Sequence, residues 1–149
     1  MRIYLAGPLF TAAERAFNAQ LRDGLTRRKF AVWLPQEHES SGKTAEQIFA
    51  DDVAAIDAAD VVVANMDGAD PDSGTCWECG YAYAKGKPRI LFRTDFRLAE
   101  KEGRGLFNPM LAASASLPPL DLTCADMEEI AEKIASELGN LPQAKSHRG

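Results

Sequence analysis

The sequence predicts an α/β fold: one domain over residues 1–149 with a doubly wound sheet of about five parallel strands and helices on both faces. Three observations carry that prediction. Short apolar runs at Arg2–Ala6, Phe30–Leu34, Asp60–Ala64 and Arg89–Phe92 have the length of buried strands. Between them lie stretches with apolar residues at helical spacing, two of them opened by the capping-box signatures Thr11-x-x-Glu14 and Thr44-x-x-Gln47. The length of 149 residues suits a single domain with a full core.

Taken in order, Arg2–Ala6 reads as the first strand and Gly7-Pro8-Leu9-Phe10 as a turn with an exposed aromatic. Thr11 opens a helix with Phe17, Leu21 and Leu25 on one face, ended by Lys29. Phe30–Leu34 is the second strand, and Pro35–Gly42 is a polar loop at its carboxyl end. Thr44 opens a helix carrying Phe49, Val53 and Ile56 at helical spacing. After the Asp60–Ala64 strand, the loop from Asp70 leads into a helix that runs through Ala84 and is stopped by Gly86-Lys87-Pro88. The Arg89–Phe92 strand follows. A charged excursion to Gly105 comes next, with Arg93, Arg97 and Arg104 read as mostly solvated. A short helix is expected from Phe107–Leu111, a last strand at Ala115–Leu117, and a last helix starting from Thr123-x-x-Asp126. That helix has Met127, Ile130, Ala131, Ile134 and Leu138 on one face. Residues 140–149 read as a polar tail. The arrangement is flavodoxin/Rossmann-like.

Bulk properties exclude several classes. The formal charge is −5 without long acidic or basic blocks, so a nucleic-acid polymer, which needs a basic stripe, is not expected as a partner. No apolar run approaches the roughly 20 residues of a membrane span. Met1–Ala6 runs directly into the fold, and a cytoplasmic protein is expected. Three cysteines, an odd number, argue against a disulfide framework. Cys76-Trp77-Glu78-Cys79 has the spacing of zinc and redox motifs. Zinc would need two more ligands, and the only histidines are His38 and His147. A redox pair at a helix start is the other chemical reading. The plainer one is two small packing residues flanking a working glutamate, with no metal. Neither G-x-G-x-x-G nor G-x-x-x-x-G-K-[ST] occurs, so a dinucleotide or triphosphate is not expected.

The chemistry is expected in Asp70–Ala82, at the carboxyl end of the third strand, where open α/β sheets bind ligands. Glu78 falls in the first turns of its helix, with small Gly74 and Ala82 one turn away, so the space over its carboxylate is open. Trp77 would supply an apolar wall. Asp72 lies six residues earlier in the same stretch. Asp52 projects from the apolar stripe of its helix, where a carboxylate must be paired, protonated or functional. It also sits about 12 Å along that helix if the helix begins at Thr44, so the helix must start late or lean over the site. Asp51 and Asp57 are expected to point outward and be solvated. The rim of the sheet gathers Tyr4, Phe10, Gln36, His38, Asp72, Glu78 and Arg93.

These residues resemble the nucleoside 2-deoxyribosyltransferases. The resemblance rests on Tyr4-Leu5-Ala6-Gly7-Pro8-Leu9-Phe10, on Asp72-Ser73-Gly74-Thr75-x-x-Glu78-x-Gly80-Tyr81-Ala82, on Gly86-Lys87-Pro88 and on Asn108, and it extends to about Leu117. It implies that Glu78 is the nucleophile and that Asp72 and Asp52 serve the leaving base and its protonation. It also implies that Tyr4 positions Glu78 and that Phe10 lies against the base, with Gly7 in the same substrate-binding loop. Asn108 would reach the 5′-hydroxyl of a neighbouring subunit's substrate, which makes the protein a homo-oligomer. The polar residue after the second strand is Gln36, with His38 as the other candidate.

The chemistry agrees. Cleavage of an N-glycosidic bond passes through an oxocarbenium-like state. An ionised carboxylate can trap that cation covalently, while a second carboxyl group protonates the departing base. No cofactor is needed, and the partners are a deoxynucleoside and a free nucleobase. Two rivals share part of the pattern: hydrolases that split nucleoside 5′-monophosphates, which need a phosphate cradle that Gly7–Phe10 lacks, and a nucleotide-sensing module that binds without turnover.

Overall fold

The computed structural model describes residues 1–39, 42–95 and 107–141. Five strands form one sheet: β1 Arg2–Ala6, β2 Ala31–Trp33, β3 Val61–Asn65, β4 Arg89–Arg93 and β5 Leu120–Asp121. Every neighbouring pair is parallel, and the order is β2-β1-β3-β4-β5. This is the flavodoxin-like order, with its switch point between β1 and β3. Helices α1 Ala12–Arg27, α2 Ala45–Ala58, α3 Ser73–Ala84, α4 Pro109–Ser114 and α5 Met127–Asn140 complete the chain.

Alternation along the strands divides the core into two layers. Ile3, Leu5, Val61, Val63, Ile90 and Phe92 face Leu21 and Leu25 of α1 and Ile130, Ile134 and Leu138 of α5. Tyr4, Ala6, Val62, Ala64 and Leu91 face Ala55 and Ile56 of α2 and Cys79 and Ala82 of α3. The second layer is the one under the candidate site, and its residues are smaller.

Local chemistry sets the element ends. The Thr11/Glu14 and Thr44/Gln47 capping boxes form as predicted. Lys29 takes a left-handed φ of 70° just after α1. At the end of α3, Gly86 has a φ of 68°. Its N–H donates to the Tyr83 carbonyl at 3.0 Å, and the Lys87 N–H donates to the Ala82 carbonyl at 2.9 Å. This pair of bonds closes a helix where glycine avoids the left-handed penalty.

Three sequence expectations are corrected. The last strand is Leu120–Asp121, not Ala115–Leu117. Pro118 and Pro119 offer no N–H to a ladder, so pairing with Phe92 and Arg93 begins after them. The last helix starts at Met127 under an Asp126/Glu129 capping box, while the Thr123 hydroxyl is spent on Asp121 at 2.6 Å. Arg93 is not solvated: it is 2% exposed, with its guanidinium donating to the carbonyls of Met66 at 3.1 Å, Asp95 at 3.0 Å and Gly68. Asp51 and Asp57 point outward as expected, and each also has a surface partner: Asp51 pairs with Lys43 at 2.7 Å, and Asp57 with Lys85 at 3.4 Å and the Tyr81 hydroxyl at 3.1 Å. Arg97, Arg104 and most of the polar tail lie outside the described residues.

Candidate active site

Three elements bring three predicted residues together. Tyr4 is fully buried in β1, and its hydroxyl donates to Glu78 Oε1 of α3 at 2.5 Å. Asp52 of α2 is half-buried, and its charge acts on the same hydroxyl. Helix α2 therefore leans over the sheet, one of the two arrangements that the position of Asp52 allowed.

The electrostatics follow from that crowding. Burial pushes the Glu78 carboxyl up to about 7; the Tyr4 hydrogen bond opposes the shift, and the charges of Asp52 and Asp72 add to it. Burial raises Asp52 as well, and the Tyr4 hydroxyl and the Trp33 indole oppose the shift. Tyr4 is raised far above its ordinary value by burial and then by the two carboxylates, so it remains a protonated donor. The arrangement offers a carboxyl poised near neutrality, a fixed donor, and a second carboxyl whose proton affinity is raised. That set can form a bond to a cationic carbon and handle a proton.

Asp72 has a structural duty that the sequence reading did not assign to it. It caps α3, its Oδ2 accepting from the Thr75 N–H at 2.9 Å and the Thr75 hydroxyl at 3.1 Å. A Cβ on Gly74 would come within 3.1 Å of that oxygen, so glycine lets the carboxylate fold over the helix start. Asp72 and the three-quarters-exposed Phe10 line a cavity of about 440 Å³. Gly7 lies beneath it, where a Cβ would approach Asn65 Cβ at 3.2 Å. Gln36 is reached through Asn18: Asn18 Nδ2 donates to Gln36 Oε1 at 3.2 Å and to the Pro8 carbonyl at 2.9 Å, and Gln36 Nε2 donates to the Arg15 carbonyl at 2.9 Å. His38 instead stacks on Trp33 with ring centroids 3.5 Å apart.

One predicted placement fails. Trp77 does not wall the Glu78 site. Its neighbour position on the helix turns it about 100° away, and it stacks on Tyr81 at 5.3 Å and meets Phe49 edge-on at 5.1 Å. Asn108 is exposed and caps α4, its Oδ1 accepting from the Met110 N–H at 2.9 Å; no contact joins it to Glu78 within the described residues.

Sequence reasoning missed Asn18, Asn65 and Trp33. Asn18 and Asn65 are buried polar residues on the cavity wall. A polar residue on the apolar face of α1 and another ending the β3 run were the available signals. Trp33 had none beyond its place in an apolar strand. Burial raises the Cys76 and Cys79 thiols, Cys79 to about 12, so neither has the lowered pKa of a reactive pair. Among the described residues, no group of three or more His, Cys, Asp or Glu side chains is placed to hold a metal ion. No described helix is long and apolar enough to cross a membrane.

Comparison with known proteins places this geometry. The sequence model of the nucleoside 2-deoxyribosyltransferase family matches residues 3–139. No curated protein matches the chain by sequence. A 2-deoxyribosyltransferase from Bacillus psychrosaccharolyticus shares 25% identity with a TM-score of 0.68, covering 88% of this chain and 90% of its own. A 2-deoxyribosyltransferase from Leishmania mexicana shares 29% identity with a TM-score of 0.59, covering 74% of this chain and 84% of its own. The CMP N-glycosidase BcmB from Clostridium botulinum, at 22% identity and a TM-score of 0.64 over 92% of this chain and 99% of its own, shares the fold.

Proposed function

The chain belongs to the nucleoside 2-deoxyribosyltransferase family, and from that membership we propose that it exchanges the base of 2′-deoxynucleosides through a covalent 2-deoxyribosyl-glutamate on Glu78. The observation that carries the reading is the buried Tyr4 hydroxyl, which donates to Glu78 Oε1 at 2.5 Å and feels the charge of Asp52. Bond breaking sends the glycosidic electron pair to the departing base, and a Glu78 oxygen closes on the anomeric carbon. Asp52 and Asp72 serve the base and its protonation. A second base then attacks from the face the first one left, so configuration is retained. Water in the same position gives slower hydrolysis.

The remaining residues take the parts the family resemblance gives them. Phe10 lies against the base, Gly7 keeps its loop close, Gln36 is held by Asn18 at the cavity margin, and Asn108 is donated across a subunit boundary of a homo-oligomer. The Gly7–Phe10 loop carries no serine-and-arginine cradle for a 5′-phosphate, which favours a nucleoside over a nucleotide.

The test is incubation with a deoxynucleoside, with and without a second free base, followed by separation of products. A new deoxynucleoside carrying the added base is expected, with free 2-deoxyribose the minor product. Cleavage of deoxynucleoside 5′-monophosphates at least about tenfold more efficiently, about 1.4 kcal/mol in the barrier, with no capture by added base, would replace this reading with a hydrolase.

A further inference from the structure

The indole Nε1–H of Trp33 is buried and has no hydrogen-bond partner, the one such side-chain nitrogen or oxygen among the described residues. Buried donors are normally satisfied, so an orphan asks for a reason. Trp33 is the register partner of Tyr4 in the parallel β1–β2 ladder. In-register residues of neighbouring strands project to the same face, so indole and phenol lie side by side under α2. The indole is fixed in place. It stacks on His38 at 3.5 Å with an interplanar angle of 8°, and it packs against the cluster holding Tyr4, Ala55 and Ile56. Asp52 precedes Ala55 and Ile56 by three and four residues on α2, on the face that packs into this cluster, and the indole favours the Asp52 carboxylate although its N–H makes no hydrogen bond here.

The donors do not suffice without Trp33. A tyrosine hydroxyl has one proton, and Tyr4 gives it to Glu78 at 2.5 Å. An ionised Asp52 against the same hydroxyl meets its lone pairs. The other charged groups acting on Asp52 are acidic: Glu39 after β2 and Asp51 on α2 itself. Glu78 on α3 is coupled to it by charge. Lys43 is paired with Asp51 and Arg15 with Glu39. His38 is turned face-on to the indole.

We propose that Trp33 is the positioning residue of Asp52: its indole N–H is the donor kept for the Asp52 carboxylate, holding that group in place while the Tyr4 proton stays with Glu78. Two carboxyl groups can then share one tyrosine and still differ in proton affinity, as separate acid and nucleophile roles require. The consequence for the reaction rests on the role given to Asp52 above; the contact itself does not.

The test begins with a readout that needs no turnover. The chain has two tryptophans, so ¹⁵N-labelled protein gives two indole N–H signals, assigned with Trp77→Phe. The Trp33 signal is expected to titrate in the acid range, and Asp52→Asn is expected to abolish that titration. The Trp77 signal should follow neither change. A Trp33 signal indifferent to both pH and Asp52→Asn overturns the proposal, whatever reaction the protein catalyses.

The second readout is Trp33→Phe, which keeps a ring against His38 and removes the donor. It should lower kcat about tenfold with KM changed by less than about twofold. It should also move to higher pH the limb of the kcat/KM profile that Asp52→Asn abolishes, because a carboxylate that loses a donor ionises less readily. A limb that stays in place also overturns it. Should Trp33→Phe fail to fold, the indole signal in the otherwise native chain decides.

Discussion

Glu78 makes the folded state less stable at the pH where it would work. Its carboxyl is pushed to about 7, chiefly by burial, from an ordinary 4.5 in the unfolded chain. Between those values the native state binds the extra proton, so stability falls as pH rises from about 4.5 to about 7 and is level beyond. The full penalty is on the order of 3 kcal/mol at pH 8. Glu78→Gln keeps the Tyr4 contact and cannot ionise. Relative to the parent, it should therefore gain up to about 3 kcal/mol of stability between pH 4 and pH 8. Denaturant melts of both proteins at the two pH values check this; a constant difference contradicts a raised Glu78. The same substitution should cut base exchange on the order of a thousandfold or more, about 4 kcal/mol of barrier. Near-parent turnover by the purified variant would remove the covalent route. Glu78 and Asp72 were legible in the sequence because a carboxylate-bearing loop at a strand's carboxyl end is a local pattern. The Tyr4 contact was expected only through the family resemblance, because it joins residues 74 positions apart.

Helix α3 depends on Asp72 for its first turn, which couples the element's stability to the site. One carboxylate oxygen takes both the N–H and the hydroxyl of Thr75, and its charge acts on Glu78. Asp72→Asn retains a capping oxygen and should change stability by less than about 1 kcal/mol. Asp72→Ala should cost about 1 kcal/mol or somewhat more through the lost cap. If Asp72 serves the leaving base, both variants lose activity per folded molecule to a similar degree, although only one loses the cap. Thermal melts and initial rates on the same samples separate the two duties; Asp72→Asn with parental rates would leave Asp72 a cap alone. The sequence marked the ends of α1, α2 and α3 because their capping and stop residues are neighbours in the chain. It misplaced β5, since a strand of two residues has no periodicity to read. Only β4 beside it, and the prolines before it, settle where pairing begins.

In the whole molecule, Asn108 stands on α4 as an exposed cap, joined to no residue of the Glu78 group within the described chain. Beside it, Met110 is 82% exposed and Tyr83 of α3 60% exposed. They line a shared apolar surface with Leu111 and Gly80. Exposed apolar surface next to a residue that its own site does not use fits the proposed donation of Asn108 to a neighbouring subunit. Glu78→Ala and Asn108→Ala chains, each inactive alone, should regain activity when mixed, because some mixed assemblies contain one intact site. No recovery after subunit exchange, or full activity in a particle that sediments as a monomer, contradicts the shared site.

The sequence by itself determined the α/β class, four of the five strands, the caps that open α1 and α2, and the family, because each is written in residues close together along the chain or in a motif block. Tertiary structure alone decided which side chains meet. It turned Trp77 outward and buried Arg93 among backbone carbonyls. It also put the indole of Trp33 beside Tyr4 under Asp52. The physical reason is that proton affinity and donor supply depend on burial and on neighbours within a few ångströms. Those neighbours come from β1, β2, α2 and α3, which only the closed sheet brings to one place.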